Sequence, residues 1–189
     1  MVLHFTLESA RFKLVMLDFA EDGLQKKVYR TAYLDDTQSD QKGEDDEDGR
    51  SGIYQKSRQA SLCTTDELEV STRKLEQLIG KGSEQEKLDN LRKVSIKYHY
   101  IISQLLRNPT HNAFIYCKLV KRSGIKALST ALQAFDFHKA TGSDMENSVV
   151  SRRYAEISGE IGEGEVERIL ANFNRPENKH GQYIQVVIG

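Results

Sequence analysis

Cysteine is scarce in this chain. Cys63 and Cys117 are its only two, they are far apart, and no His or Cys neighbours give either a metal-ligand spacing. That excludes a disulfide framework and fits a reducing compartment. No apolar run approaches the roughly 20 residues that a membrane helix needs. The start, Met1-Val2-Leu3-His4-Phe5-Thr6-Leu7-Glu8, lacks the basic head and apolar core of a signal peptide. An intracellular, soluble protein without a membrane partner is expected, or one lodged inside something larger. Neither sign of charge is in excess, because the formal net charge is −1, so the total charge names no partner.

Several chemical signatures are missing as well. A P-loop places Gly-x-x-x-x-Gly-Lys-Ser/Thr between a strand and a helix so that backbone amides cradle phosphate. Gly80-Lys81-Gly82-Ser83 has the composition without the spacing. The turn from Gly159 to Gly164 is glycine-rich, but it carries Glu160 and Glu163, which repel phosphate. His4, His99, His111, His138 and His180 form no His-x-x-x-His or Cys/His set. His138, near Asp136, reads as a solvated loop histidine after a helix. Cys117, among apolar neighbours, reads as a small buried hydrophobe. No pair of carboxylates has the spacing of a general acid and base. Neither catalytic nor metal-ligating residues are therefore assigned.

What is present divides into three regions. The 189 residues suit one domain with an insertion. Residues 1–36 read as a lead-in strand at Leu14–Leu17 followed by a helix from Ala20 to Asp35. Residues 37–90 read as an acidic loop and a helical insertion. Between Asp35 and Arg50 lie eight acidic and two basic residues, and the block Glu44–Asp48 cannot bury itself. Ile53–Leu62 is either irregular or a strand. Thr65-Asp66-Glu67-Leu68 has the hydroxyl and acids of a helix start running to Ile79. Ser83 with Glu86 forms a capping box, and its helix continues through Leu88, Leu91, Val94, Tyr98, Ile101 and Leu105 to Asn108-Pro109. Residues 91–189 then alternate: strand at Ala113–Leu119, helix at Gly124–Phe135, strand at Arg153–Ser158, helix at Gly164–Phe173, strand at Tyr183–Ile188. This order predicts βαβ units, an α/β fold and a parallel sheet. The last strand stops at Gly189 without the loop that a parallel strand feeds, so a fragment of a longer protein is expected.

Charge is uneven along the chain. From Leu91 to Phe135 there is no Asp or Glu, but there are eight basic residues: Arg92, Lys93, Lys97, Arg107, Lys118, Lys121, Arg122 and Lys126. Lys118, Lys121 and Arg122 fall between a strand and the next helix, which Ser123 and Gly124 open. Free amides and the positive end of a helix dipole are expected there, suited to a phosphodiester backbone. A solvated basic face that balances the acidic loop remains the alternative.

The order of these segments resembles the second RecA-like domain of superfamily 2 helicases. The resemblance lies in Ser95-Ile96-Lys97-Tyr98 with its amphipathic helix, Phe114-Ile115-Tyr116-Cys117 as motif IV, and Gly124-Ile125-Lys126-Ala127-Leu128. It continues in Arg153–Glu160 with a Ser158-Gly159 step, and in Phe173-Asn174 followed by Gly181–Gly189 on the approach to motif V. It is closest to the poxvirus-type helicases and early transcription factor ATPases of large DNA viruses. Gln25 and Tyr29 fit the lead-in helix of that group, and Arg58-Gln59-Ala60-Ser61 one of its loops.

The resemblance implies an incomplete P-loop NTPase-type helicase C-terminal domain, truncated before motif V is complete. Walker A, Walker B and motif VI would lie outside it, so the chain alone should be inactive. ATP and Mg2+ belong to the complete parent, and none is expected to bind this chain alone. The implied partners are nucleic acid, DNA being favoured, the missing first RecA-like domain, and viral transcription machinery in the host cytoplasm or virion. Lys118, Lys121, Arg122, Ser123, Gly124, Ser158 and Gly159 would hold backbone phosphates. Two other readings stand beside this one: a non-catalytic docking module derived from such a motor, and an unrelated α/β nucleotide enzyme such as a methyltransferase.

Overall fold

The computed structural model describes residues 14–42, 54–66, 70–140 and 152–189, with only the backbone at 39–42. The acidic block Glu44–Asp48 lies outside the described residues.

Four parallel strands form the sheet: β1 (Ala113–Ile115), β2 (His138–Lys139), β3 (Arg153–Glu156) and β4 (Val186–Ile188), in the order β1-β4-β3-β2. The register pairs Ala113 with Val186, Tyr154 with Val186, and His138 with Arg153. The expected α/β class and parallel sheet are thus present, as in a RecA-like fold. Alternation of side chains sorts β3 and β4 onto two cores. Tyr154, Val186 and Ile188 face a large core shared with α3 (Thr72–Ile79), α4 (Glu84–Val94), α5 (Ile96–Arg107) and α6 (Ile125–Ala134). Ala155 and Val187 face the opposite side, with Ile169 of α7 (Glu163–Asn174). Burial on both faces explains why β4 is apolar throughout.

Two helices precede this unit, α1 (Leu24–Lys42) and the short α2 (Gln55–Ala60). Here the structure departs from the sequence reading. Residues 14–18 pair with no strand. The first helix starts at Leu24 and runs through Lys42, into the stretch expected to be loop. Ile53–Leu62 contains a helix because Asp36 reaches it from α1. Its carboxylate accepts from Ser57 N at 2.8 Å and Lys56 N at 3.3 Å, replacing the side-chain cap that Tyr54 does not supply.

The helix expected from Thr65 is capped instead by Ser71, whose Oγ accepts from Lys74 N; residues 67–69 lie outside the described residues. Gly80 ends this helix with φ 80° and ψ −174°, an extended positive-φ backbone that a side chain would strain. The Ser83 capping box is present: Glu86 Oε2 accepts from Ser83 N at 2.7 Å and Ser83 Oγ accepts from Glu86 N at 3.3 Å.

In place of the one long helix expected from Ser83 to Asn108, there are two. Ser95 is extended (φ −158°, ψ 101°) and at once ends α4 and caps α5 through Tyr98 N at 3.0 Å. The break is held from elsewhere. The buried Gln25 amide accepts from Ile96 N at 2.8 Å and donates to Ala60 O at 2.9 Å, while Ser95 Oγ donates to Leu62 O. Thus Gln25 clamps α1, α2 and α5 together.

The remaining strands are shorter than expected, and β2 replaces the loop assigned to His138. Its two residues are exposed and polar, and it exists through His138 N donating to Arg152 O (2.7 Å) and Ala140 N to Tyr154 O (2.8 Å).

Candidate nucleic-acid interface

Parallel strands bring their carboxyl ends to one edge. Two βα turns meet there, residues 116–124 between β1 and α6 and residues 157–162 between β3 and α7. They are built differently.

In the first turn the ladder runs one step beyond β1: Cys117 N donates to Gly189 O at 2.6 Å and Gly189 N to Ile115 O at 2.9 Å. The chain then folds back on itself. Gly124 N donates to Lys121 O (3.0 Å), Ile125 N to Leu119 O (2.8 Å) and Lys126 N to Val120 O (3.2 Å). Arg122 takes φ 55° to close the turn, and its guanidinium reaches Gln59 Oε1 at 3.5 Å. A Cβ on Gly124 would stand 1.8 Å from Leu119 O, so only glycine allows this approach. From beneath, the Tyr98 hydroxyl donates to the carbonyls of Ser123 and, at 3.1 Å, Gly124. Burial pushes the Tyr98 phenol well above its ordinary pKa, so the group keeps its proton.

The free amides expected at this helix start are therefore occupied: those of Gly124, Ile125 and Lys126 bond to the turn's own carbonyls. Ser123 is fully buried and Gly124 is buried, whereas Lys118, Lys121 and Arg122 are all exposed. What the turn presents to solvent is a row of cations.

The second turn is open. Gly159 is exposed, Ser158 is half-buried, and Ser158 Oγ accepts from Glu160 N at 3.3 Å. A Cβ on Gly159, Gly162 or Gly164 would meet no atom within 4 Å. Glu160, Glu163 and Glu165 surround it with negative charge. The two turns meet where Lys126 Nζ lies 4.0 Å from Glu160 Oε2. Behind them Glu156, at the end of β3, accepts from both Lys139 of β2 and Ser129 of α6. The structure thus brings Lys118, Lys121, Arg122, Ser158 and Gly159 to one edge, with Ser123 and Gly124 beneath its surface.

Sequence reasoning did not include Lys126, Lys139, Glu156 or Glu160 in the site. Lys126 stood in the basic stretch, but Lys139 reaches the edge only through β2, for which the sequence carries no periodic signal. Of the remaining basic residues, Arg92 and Lys93 lie elsewhere, with Glu21 and Asp22 beside a cleft at the end of α4.

Other reactive groups are muted. Burial pushes the Cys63 thiol up to about 12 and raises that of Cys117, so neither is a thiolate at neutral pH. His99 is lowered by burial and then by Arg92. Among the described residues no group of three or more His, Cys, Asp or Glu could hold a metal ion, and no helix is long and apolar enough to cross a membrane. The amides of Gly124, Ile125 and Lys126 are thus occupied, and carboxylates line the other turn.

Two curated relatives share sequence with the chain. It is 33% identical over 103 residues to "Putative helicase 087L" of Invertebrate iridescent virus 3. It is 30% identical over 100 residues to "Putative helicase 009L" of Frog virus 3 (isolate Goorha). Each match takes in 53% of this chain and 10% of the relative, so the chain spans about a tenth of the length of the curated relatives it matches. No protein-family model matches. The chain is thus similar, over about half its length, to two viral proteins named as helicases.

Proposed function

We propose that this chain is part of an ATP-dependent nucleic-acid motor of the superfamily 2, poxvirus-type kind, and supplies backbone contacts from its second RecA-like lobe. The observation that carries the reading is the row Lys118, Lys121 and Arg122 on the turn at the carboxyl edge of a parallel sheet. Their contacts would be to phosphate, which positions a strand without reading its sequence. Ser158 and Gly159 are the second part of the same track. The viral relatives support a helicase-related role. Nucleotide chemistry would reside in the first RecA-like domain and in residues beyond this chain, with the viral transcription machinery as the setting, in the host cytoplasm or the virion.

The test is fluorescence anisotropy of a labelled single-stranded DNA across a salt series, with the chain beside a Lys118→Ala/Lys121→Ala double variant. Arg122 is left in place because its backbone and its bond to Gln59 shape the turn. Affinity should fall steeply with salt, and the variant should reduce the log–log slope by about 1.4, roughly 0.7 for each phosphate no longer neutralised. Absence of binding at low salt by a folded chain would overturn the reading and favour a docking module.

A further inference from the structure

A cavity of about 330 Å3 lies between residues 14–17, α5 and the end of β1, and it adjoins the start of the cationic turn at Tyr116 and Cys117. Leu62, Ile101, Ile115 and Leu128 supply apolar walls, and Met16 and Tyr116 stand at its edge, 84% and 69% exposed. Into this apolar lining the sequence places one charged side chain, Lys97. Its ammonium meets Ser61 Oγ at 3.3 Å, and no described carboxylate pairs with it. A half-buried cation whose hydrogen bond among the described residues goes to one hydroxyl is an unusual thing to keep in an apolar cleft.

We propose that this cavity is a binding site for an amphipathic anion, a compact apolar body carrying one carboxylate, sulfonate or phosphate group that pairs with Lys97. The volume falls at the lower end of the range of small-molecule sites, and an apolar lining with one placed polar group is their usual composition. The walls are mainly aliphatic, with Tyr98, Tyr100 and Tyr116 adding aromatic surface. That favours a ligand recognised by shape and charge. Burial lowers the Lys97 ammonium below its ordinary pKa, and a bound anion would reverse that cost.

The probes are 1-anilinonaphthalene-8-sulfonate and its neutral analogue N-phenyl-1-naphthylamine, which lacks the sulfonate. Fluorescence titration of the chain should show one saturable sulfonate site. Lys97→Met keeps the aliphatic stem and removes the charge. It should weaken the sulfonate about tenfold, as expected for losing a hydrogen bond to a charged group, and leave the neutral probe within about twofold. Leu62→Trp, on a half-buried segment, should reduce both by filling the cavity. Equal sulfonate affinity in Lys97→Met and the parent chain would overturn the proposal, as would non-saturable binding. Equal loss of both probes in Lys97→Met, with circular dichroism unchanged, would also overturn it by removing charge as the discriminating contact. None of these outcomes depends on DNA binding, so the proposal stands or falls separately from the motor reading.

Discussion

The two βα turns at the carboxyl edge of the sheet contrast in a way their glycine content does not reveal. The turn before α7 carries Gly159 and Gly162, with Gly164 just inside the helix, yet none of them is sterically required. The turn before α6 carries only Gly124, and there a methyl group would collide with the backbone. Glycine in the first case loosens a solvated, acidic turn. In the second it allows a carbonyl to approach and consume the amides that an incoming phosphate would otherwise use. A glycine-rich stretch is therefore not by itself a phosphate cradle, and a single glycine at a close approach says more about local architecture.

The largest effect that would break this contrast is Gly124→Ala. Its Cβ would displace Leu119 O, and unfolding in urea should show a loss of about 3 kcal/mol, with a lower midpoint and an unchanged slope. Next comes Tyr98→Phe, which removes the hydroxyl under the same turn and takes a donor from Ser123 O, while Gly124 O keeps that of Leu128 N. About 1–2 kcal/mol should be lost in the same measurement. Glu160→Lys tests the electrostatic side. It replaces the carboxylate facing Lys126 with a cation, and at low salt the affinity for single-stranded DNA should rise roughly two- to fivefold. A fall in affinity would show that the second turn does not face the strand. Smallest is Gly159→Ala, for which stability should stay within about 0.5 kcal/mol of the parent. A large loss there would erase the difference between the two turns.

Much of the fold was legible because its signals are local. Ser83 and Glu86 stand three residues apart and meet as a capping box. The stripe Ile125, Leu128, Ala131 and Leu132 has helical period and is buried against the sheet. β4 was visible because burial on both faces demands an unbroken apolar run. The break at Ser95 was not legible, since the apolar stripe continues in phase through α4 and α5 and both helices bury the same side. What ends the first helix is the Gln25 amide taking Ile96 N, a partner 71 positions away. Likewise α2 owes its first hydrogen bonds to Asp36, and β2 its existence to β3.

The same division applies to the candidate site. The residues alone placed Lys118, Lys121 and Arg122 between a strand and a helix, because charge and period are properties of the chain. They could not show that Ser123 would be buried, that the first two amides of α6 would be taken by Leu119 and Val120, or that Glu160 would stand opposite Lys126. Sequence determines which groups carry charge and which runs must be buried. Only the tertiary structure decides which donors remain free, since each hydrogen bond is settled by whichever partner the fold brings within about 3 Å.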